Sequence, residues 1–525
     1  MSLGIIDILV VAVYFILIAA IGIYVSRGQN TTAKFFVAGQ SIPGWVVAFT
    51  LMGTIIGTGT FVGHPGTSYQ KGLILLFPHL LLPIVLLFVA KVIVPFYRRV
   101  VHMSAYEYIG KRFGLGGRLY TSFGFLADRT FDIGVTLVTT AIAVNVLTGW
   151  ELRTVIVGVT LFTAAYTMLG GIKAVVWTDV AQGTILILGG TFLLGRLLFA
   201  PEAGAPFAVV GEAWRGGRLS FGSWEFSWRS LFDTQTTTAW LFLITYMVQW
   251  SRRYITDQHL VQRYLIARTD AEASKATFTG ALICVPVFFT FMFIGSCLYG
   301  FFALAKVPGP ELGDNVMPFF MSHYLPTGLL GLVVAAILAA AMSTTSSDLN
   351  SVATVATTDY FAIFFPKASD KARLLFGRTM IFVGGVLAAM CAVLLIPEKG
   401  LAPVMERAVT IAAILSGGTL GLFTLGFATR TATRRGCYVG MASCLVFMTW
   451  AILSQPKARL VDFGFNFDMN PILIGIFGHL VLFTTGWIAS RLFGGYLPDN
   501  VEDLTFWSHK LRADAAAAAA QKSSS

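Results

Sequence analysis

The chain has 525 residues, 56% of them hydrophobic and only 12% charged, with a formal net charge of +11 and a mean hydropathy of +0.75. This excludes a soluble globular protein and describes an all-α polytopic membrane protein. The positive charge is therefore assigned to loops at a membrane face, and the expected partners are a lipid bilayer and a small-molecule solute, not nucleic acid.

Apolar runs predict 13 spans, at about 5–26, 43–64, 72–97, 119–148, 152–170, 174–199, 236–258, 274–304, 326–350, 377–397, 401–428, 433–454 and 470–491. The first lacks a basic leader and a small-residue cleavage site, so it is expected to be a retained helix. With the N-terminus outside, Arg27/Lys34, Arg98/Arg99/Lys111/Arg112/Arg118, Lys173, Arg252/Arg253/Arg263/Arg268/Lys275, Lys367/Lys371/Arg373/Arg378 and Arg430/Arg434/Arg435 all fall on the cytoplasmic side. The C-terminus is then cytoplasmic, the 201–235 segment is an external loop, and the expected location is the inner or plasma membrane. The five cysteines (Cys284, Cys297, Cys391, Cys437 and Cys444) have no metal-ligand spacing and are expected to pack.

The second span carries Gly53, Gly57 and Gly59 among Thr54, Thr58 and Thr60, and Pro65 follows. Glycine weakens a helix and proline ends one, so this span is expected to be broken in mid-membrane, where free carbonyls can hold a cation. A kinked packing helix is the alternative, since Gly53 and Gly57 also fit a small-xxx-small contact. His79 stands beside Pro78, where packing is commoner than ligation. The fourth span contains Asp128, Arg129 and Asp132, and the seventh contains Arg252 and Arg253. Charges at membrane depth are expensive and point to function, or else neutralise one another.

The ninth span ends in Ala339-Ala340-Ala341-Met342-Ser343-Thr344-Thr345-Ser346-Ser347-Asp348. At about 100° per residue, Ser343, Ser346 and Ser347 share an arc of about 100°, with Thr344 and the Ala340 carbonyl on or near that side. Such a cluster supplies hard oxygen ligands for a small cation. Each hydroxyl singly could equally bond back to the i−4 carbonyl.

Several segments together resemble the sodium–solute symporter family. They are Ser104-Ala105-Tyr106-Glu107-Tyr108, Leu169 through Gly183 with its Trp177-Thr178-Asp179, Asp257-Gln258 with Val261-Gln262-Arg263-Tyr264, and Ala339 through Asn350. The resemblance spans roughly residues 5–450. It implies a five-plus-five inverted-repeat fold of the leucine-transporter type, with an accessory N-terminal helix (1–30), a first repeat (40–200), a second repeat (236–428), two accessory helices (429–495) and a cytoplasmic tail (496–525). It implies a first sodium site from Gly53, Ile56, Ala340, Ser343 and Thr344, and in some members a second from Asp179, Ser343, Ser346 and Ser347, hence one or two Na+ ions per cycle. The matching substrate positions include Gly57, Thr60, His79, Asp132, Gln249, Trp250, Arg252 and Arg253. Asp132 stands where sialic-acid carriers place a carboxylate-binding arginine, and relatives often have a neutral residue at Asp348. For Asp179 the alternative is an ion pair with Lys173 or Arg263 at the cytoplasmic surface.

No phosphate-binding Gly-Lys-Ser/Thr loop and no catalytic constellation occur, so neither an enzyme nor an ATP-driven pump is expected. The expected function is sodium-coupled symport of a small polar organic solute (a carboxylate, sugar acid, amino acid or sugar) by a monomer using alternating access. The alternatives are a non-transporting sensor and a sodium-independent or proton-coupled carrier on the same fold. A hydroxyl-and-carbonyl ion site has nothing that titrates near pH 7.

Overall fold

The computed structural model describes residues 3–224, 228–232, 238–396, 417–456 and 461–507. Among them the secondary structure is helical, with one isolated bridge between Ile42 and Ala267. The main helices, in chain order, are α1 (Ile5–Val25), the pair α2 (Gly44–Ile55) and α3 (Gly59–Lys71), α4 (Leu76–Val100) and α5 (Leu115–Thr148). They continue with α6 (Leu152–Leu198), α7 (Ala239–Thr256), the short α8 (Gln258–Ile266) and α9 (Asp270–Ala305). The last are α10 (Leu329–Phe364), α11 (Asp370–Leu394), α12 (Thr419–Ala428), α13 (Arg434–Ser454) and α14 (Pro471–Phe493). The first part of the expected eleventh span, through residue 416, lies outside the described residues.

Large apolar side chains stand exposed on the outer helices, among them Ile5, Leu9 and Val13 of α1, Leu375 and Leu387 of α11, and Leu480 and Leu492 of α14. Water would not tolerate such a coat. It is the surface a bilayer covers. With its apolar helices long enough to cross, this is a multi-pass membrane protein.

Two glycine-dependent breaks shape the centre. The expected fifth and sixth spans form one helical run, α6, of 47 residues. At 1.5 Å per residue that is about 70 Å, more than twice the hydrocarbon thickness. The run divides at Gly171, whose backbone (φ 56°, ψ −151°) is open only to glycine. A Cβ there would also lie 2.5 Å from the Phe35 carbonyl oxygen. Two spans are thus joined by a one-residue corner, not by a loop. The second break separates α2 from α3. Ile56 leaves the helix at φ −93°, ψ 93°, and the two halves bend by 62°.

α10 is the buried axis of the molecule. From Val333 to Thr357 every residue is buried except Thr344. α6, α5, α1, α11, α8 and α2 all pack against it. Its first turn is capped from another helix. The Asp7 carboxylate of α1 is 2% exposed and accepts from the backbone N–H groups of Gly328 and Gly331, each at 2.7 Å. A buried acid is tolerable there because it meets the orphan donors and positive pole of a helix N-terminus.

Candidate functional site

The α2–α3 break and the hydroxyl run of α10 meet directly. Ser343 Oγ lies 3.0 Å from the Gly53 carbonyl oxygen, to which it donates. A Cβ placed on Gly57 would lie 2.9 Å from Thr344 Oγ1, so glycine at 57 is what permits this approach. Thr344 Oγ1 bonds back to the Ala340 carbonyl at 3.2 Å, which sets both oxygens side by side. At Ile56 the chain has left the helix, so carbonyls at the end of α2 lose their i+4 donors. They form the negative pole of a half-helix. The first proposed sodium constellation, Gly53, Ile56, Ala340, Ser343 and Thr344, therefore gathers around one break. Thr344 is half-buried, as is Gly57, and Gly59 is exposed, so the constellation borders accessible space.

The second constellation is arranged differently from a vacant ion cage. Asp179 of α6 is fully buried. It accepts from Ser343 Oγ at 2.6 Å and from Thr50 Oγ1 of α2. Arg263 of α8 stands 3.5 Å from the same carboxylate, with both side chains 0% exposed. Its Nη2 also donates to Ser347 Oγ at 2.6 Å. Ser346 Oγ turns back to the Ser343 carbonyl at 3.1 Å. Asp179 thus contacts an α10 hydroxyl and pairs with Arg263, and that pair lies in the buried interior, not at the surface where the alternative placed it. Arg263 bonds to two of the groups expected to hold a second ion, and its charge balances Asp179.

The charged residues of α5 and α7 form a network with α10. Arg129 donates to Asp128 at 2.6 Å and to Asp132 at 2.9 Å, and lies 3.8 Å from Asp348. Arg252 is 3.2 Å from Asp257 and 3.8 Å from Asp128. Arg253 is 4.0 Å from Asp132. His259 Nδ1 is 3.8 Å from Asp348. Most of these side chains are buried, but Asp132 is 32% and Arg253 27% exposed. The sequence placed Arg252, Arg253 and Asp132 at substrate positions; the structure joins all three through ion pairs. It also adds Asp257, His259 and Asp348, which carried no assigned role.

The remaining expected substrate positions divide. Thr60 is buried and Gln249 exposed. His79 is buried, with Nδ1 2.6 Å from the Leu75 carbonyl oxygen. Its ring packs against His64, Tyr246, Trp250 and Phe288, an arrangement of a packing histidine. Thr58 and Thr140 share a hydrogen bond of 2.8 Å between the break and α5, a contact no sequence pattern announced.

The fold, with its bent helix pair against a hydroxyl-bearing buried helix, is of the leucine-transporter type, and a solved structure shares it. That structure is described as a Na+-coupled sialic acid symporter in a substrate-bound outward-open state. It aligns over 94% of this chain and 99% of its own with a TM-score of 0.82 and 24% sequence identity. The model of the sodium:solute symporter family matches residues 35–443, and the chain belongs to that family, with sodium as the coupling ion. The chain is similar to the sodium/sialic acid symporter NanT of Aliivibrio fischeri, 26% identical over 97% of this chain and 98% of the relative. It is also similar to the human sodium-coupled monocarboxylate transporter 1, 28% identical over 85% of this chain and 72% of the relative.

Proposed function

We propose that the protein imports a small polar organic solute across the plasma membrane, with its N-terminus outside, by alternating access driven by one sodium ion. The observation that carries this reading is the apposition of Ser343 and Thr344 to the α2–α3 break, with half-buried Thr344 the exception in the otherwise buried stretch from Val333 to Thr357. Carbonyls at the end of α2 and the two hydroxyls supply oxygen ligands without a formal charge, which suits a weakly held ion that must be released in each cycle. Opening and closing the cleft between α2, α5, α7 and α10 would expose the ion and solute to each side in turn.

One ion is favoured over two because Arg263 already bonds to Ser347 and faces Asp179. At about 100 mV one inward charge contributes roughly 2.3 kcal/mol, and a tenfold sodium gradient adds about 1.4 kcal/mol. Together these sustain roughly 500-fold accumulation of a net-neutral solute. The test is uptake by reconstituted proteoliposomes under an inward sodium gradient against an equal potassium gradient. Sodium-specific accumulation supports the reading; equal uptake in potassium, or under a proton gradient alone, contradicts it.

A further inference from the structure

We infer that the solute is a zwitterion of the α-amino acid kind, its ammonium held by Asp132 and its carboxylate by Arg253. This deepens the symport reading above and rests on it. Asp132 lies on the interior face of α5. Arg129, one turn earlier, faces Asp348 of α10. Thr140, two turns later, bonds Thr58 beside the helix break. Arg253 approaches from α7. The pair therefore stands between the helices that surround the proposed ion site.

Three observations converge on a ligand carrying both charges. First, within the network Asp132 and Arg253 are the side chains that reach accessible space, at 32% and 27%, while the other ion-paired groups are at most 10% exposed. Second, Arg253 stands 4.0 Å from Asp132 Oδ2, which already accepts from Arg129 at 2.9 Å, so among the described residues the other carboxylate oxygen and the Arg253 guanidinium retain capacity for a partner. Third, the charges do not cancel. Asp128, Asp132, Asp257 and Asp348 face Arg129, Arg252 and Arg253, so with every acid ionised and His259 neutral one negative charge is left over. Among the described residues neither carboxylate oxygen of the buried Asp348 has a hydrogen-bond partner.

Asp179 and Arg263 balance separately, and Asp7 is satisfied at the far end of α10. A sodium ion at the Ser343–Thr344 site would lie one helical turn from Asp348 on α10 and would supply a positive charge beside it. With sodium bound, an anionic solute restores an uncompensated negative charge at low dielectric, and a cationic one creates a positive excess. A zwitterion adds no net charge and gives each accessible group an oppositely charged partner. A sugar hydroxyl would desolvate the same two groups without supplying charge. On α7, Tyr246 and Trp250 continue from Arg253 at helical spacing of seven and three residues, so the solute's side chain meets aromatic surface.

The experiment measures thermal stabilisation of the purified full-length protein, with sodium or potassium as the cation. The probes are the twenty protein amino acids, the amides of alanine and phenylalanine, propionate and phenylpropionate, glucose and N-acetylneuraminate. Sodium-dependent stabilisation by an uncharged-side-chain amino acid, greater than by its amide or its deaminated acid, is expected. Asp132→Asn should weaken that amino acid about tenfold or more while changing the deaminated acid little, and Arg253→Gln should do the converse with the amide. Asp132→Glu keeps the charge and should retain preference for the amine, which separates recognition from misfolding. Stabilisation by sodium together with glucose, N-acetylneuraminate or a deaminated acid, and by no amino acid, overturns the inference and leaves sodium symport standing. Stabilisation by no probe, with sodium alone effective, also overturns it. Absence of any sodium effect overturns the symport reading and the inference with it.

Discussion

Arg263 Nη2 donates to Ser347 Oγ across 2.6 Å, inside a part of the molecule where both side chains are fully buried. The same guanidinium faces Asp179 at 3.5 Å. An aspartate that serves an arginine is affected by mutation differently from one that serves a sodium ion. Asp179→Asn leaves a buried guanidinium unpaired and should cost about 3–5 kcal/mol. The double variant Asp179→Asn/Arg263→Gln removes both charges and should recover part of that loss. Denaturation of Asp179→Asn, Arg263→Gln and the double variant in detergent measures the coupling. Additive losses would mean that Asp179 and Arg263 do not act as a pair.

Gly57 supplies the second prediction. A Cβ at this position would crowd Thr344 Oγ1 at 2.9 Å, and alanine also favours closing the break into continuous helix. Gly57→Ala should therefore reach the membrane in normal amount, melt within a few degrees of wild type, and lose at least tenfold in sodium affinity. Sodium titration of its thermal shift is the check. Wild-type affinity would show that close approach at Gly57 is not required.

Asp7 links α1 to the start of α10. Two charge-assisted hydrogen bonds to the start of α10 predict that Asp7→Ala costs about 2–4 kcal/mol of stability. The sodium dependence should stay as in wild type, because the Ala340–Thr344 segment lies more than two turns away. A lower melting temperature with unchanged sodium midpoint is the expected outcome.

Much of this was legible in the sequence because the relevant signals are local. Gly53, Gly57 and Gly59 among threonines announced a broken helix, and the serine and threonine run after Leu338 announced a polar face on an apolar helix. The Gly171 corner was less legible. Gly170-Gly171 marked a boundary, but only its packing against Phe35 shows that the turn takes a single residue. The partners of Asp179 and Asp348 were least legible, since Arg263, Arg129 and His259 reach them from helices separated by many residues. Sequence spacing offered Lys173 and Arg263 equally for Asp179; three-dimensional packing chose Arg263. Asp348 had no assignable role until Arg129 and His259 were found beside it.

The central claim is that Ser343 and Thr344 complete a sodium site at the break between α2 and α3. Its most direct test needs no knowledge of the solute. The melting temperature of the purified protein is followed as sodium replaces potassium at constant ionic strength. A site present only in the folded state stabilises by RT ln(1 + [Na+]/Kd). The wild type should show a sodium-specific rise that fits one ion. Ser343→Ala and Thr344→Ala should each need about tenfold more sodium for the same rise. A wild-type response identical in potassium, or an unchanged sodium response in both variants, would contradict the account.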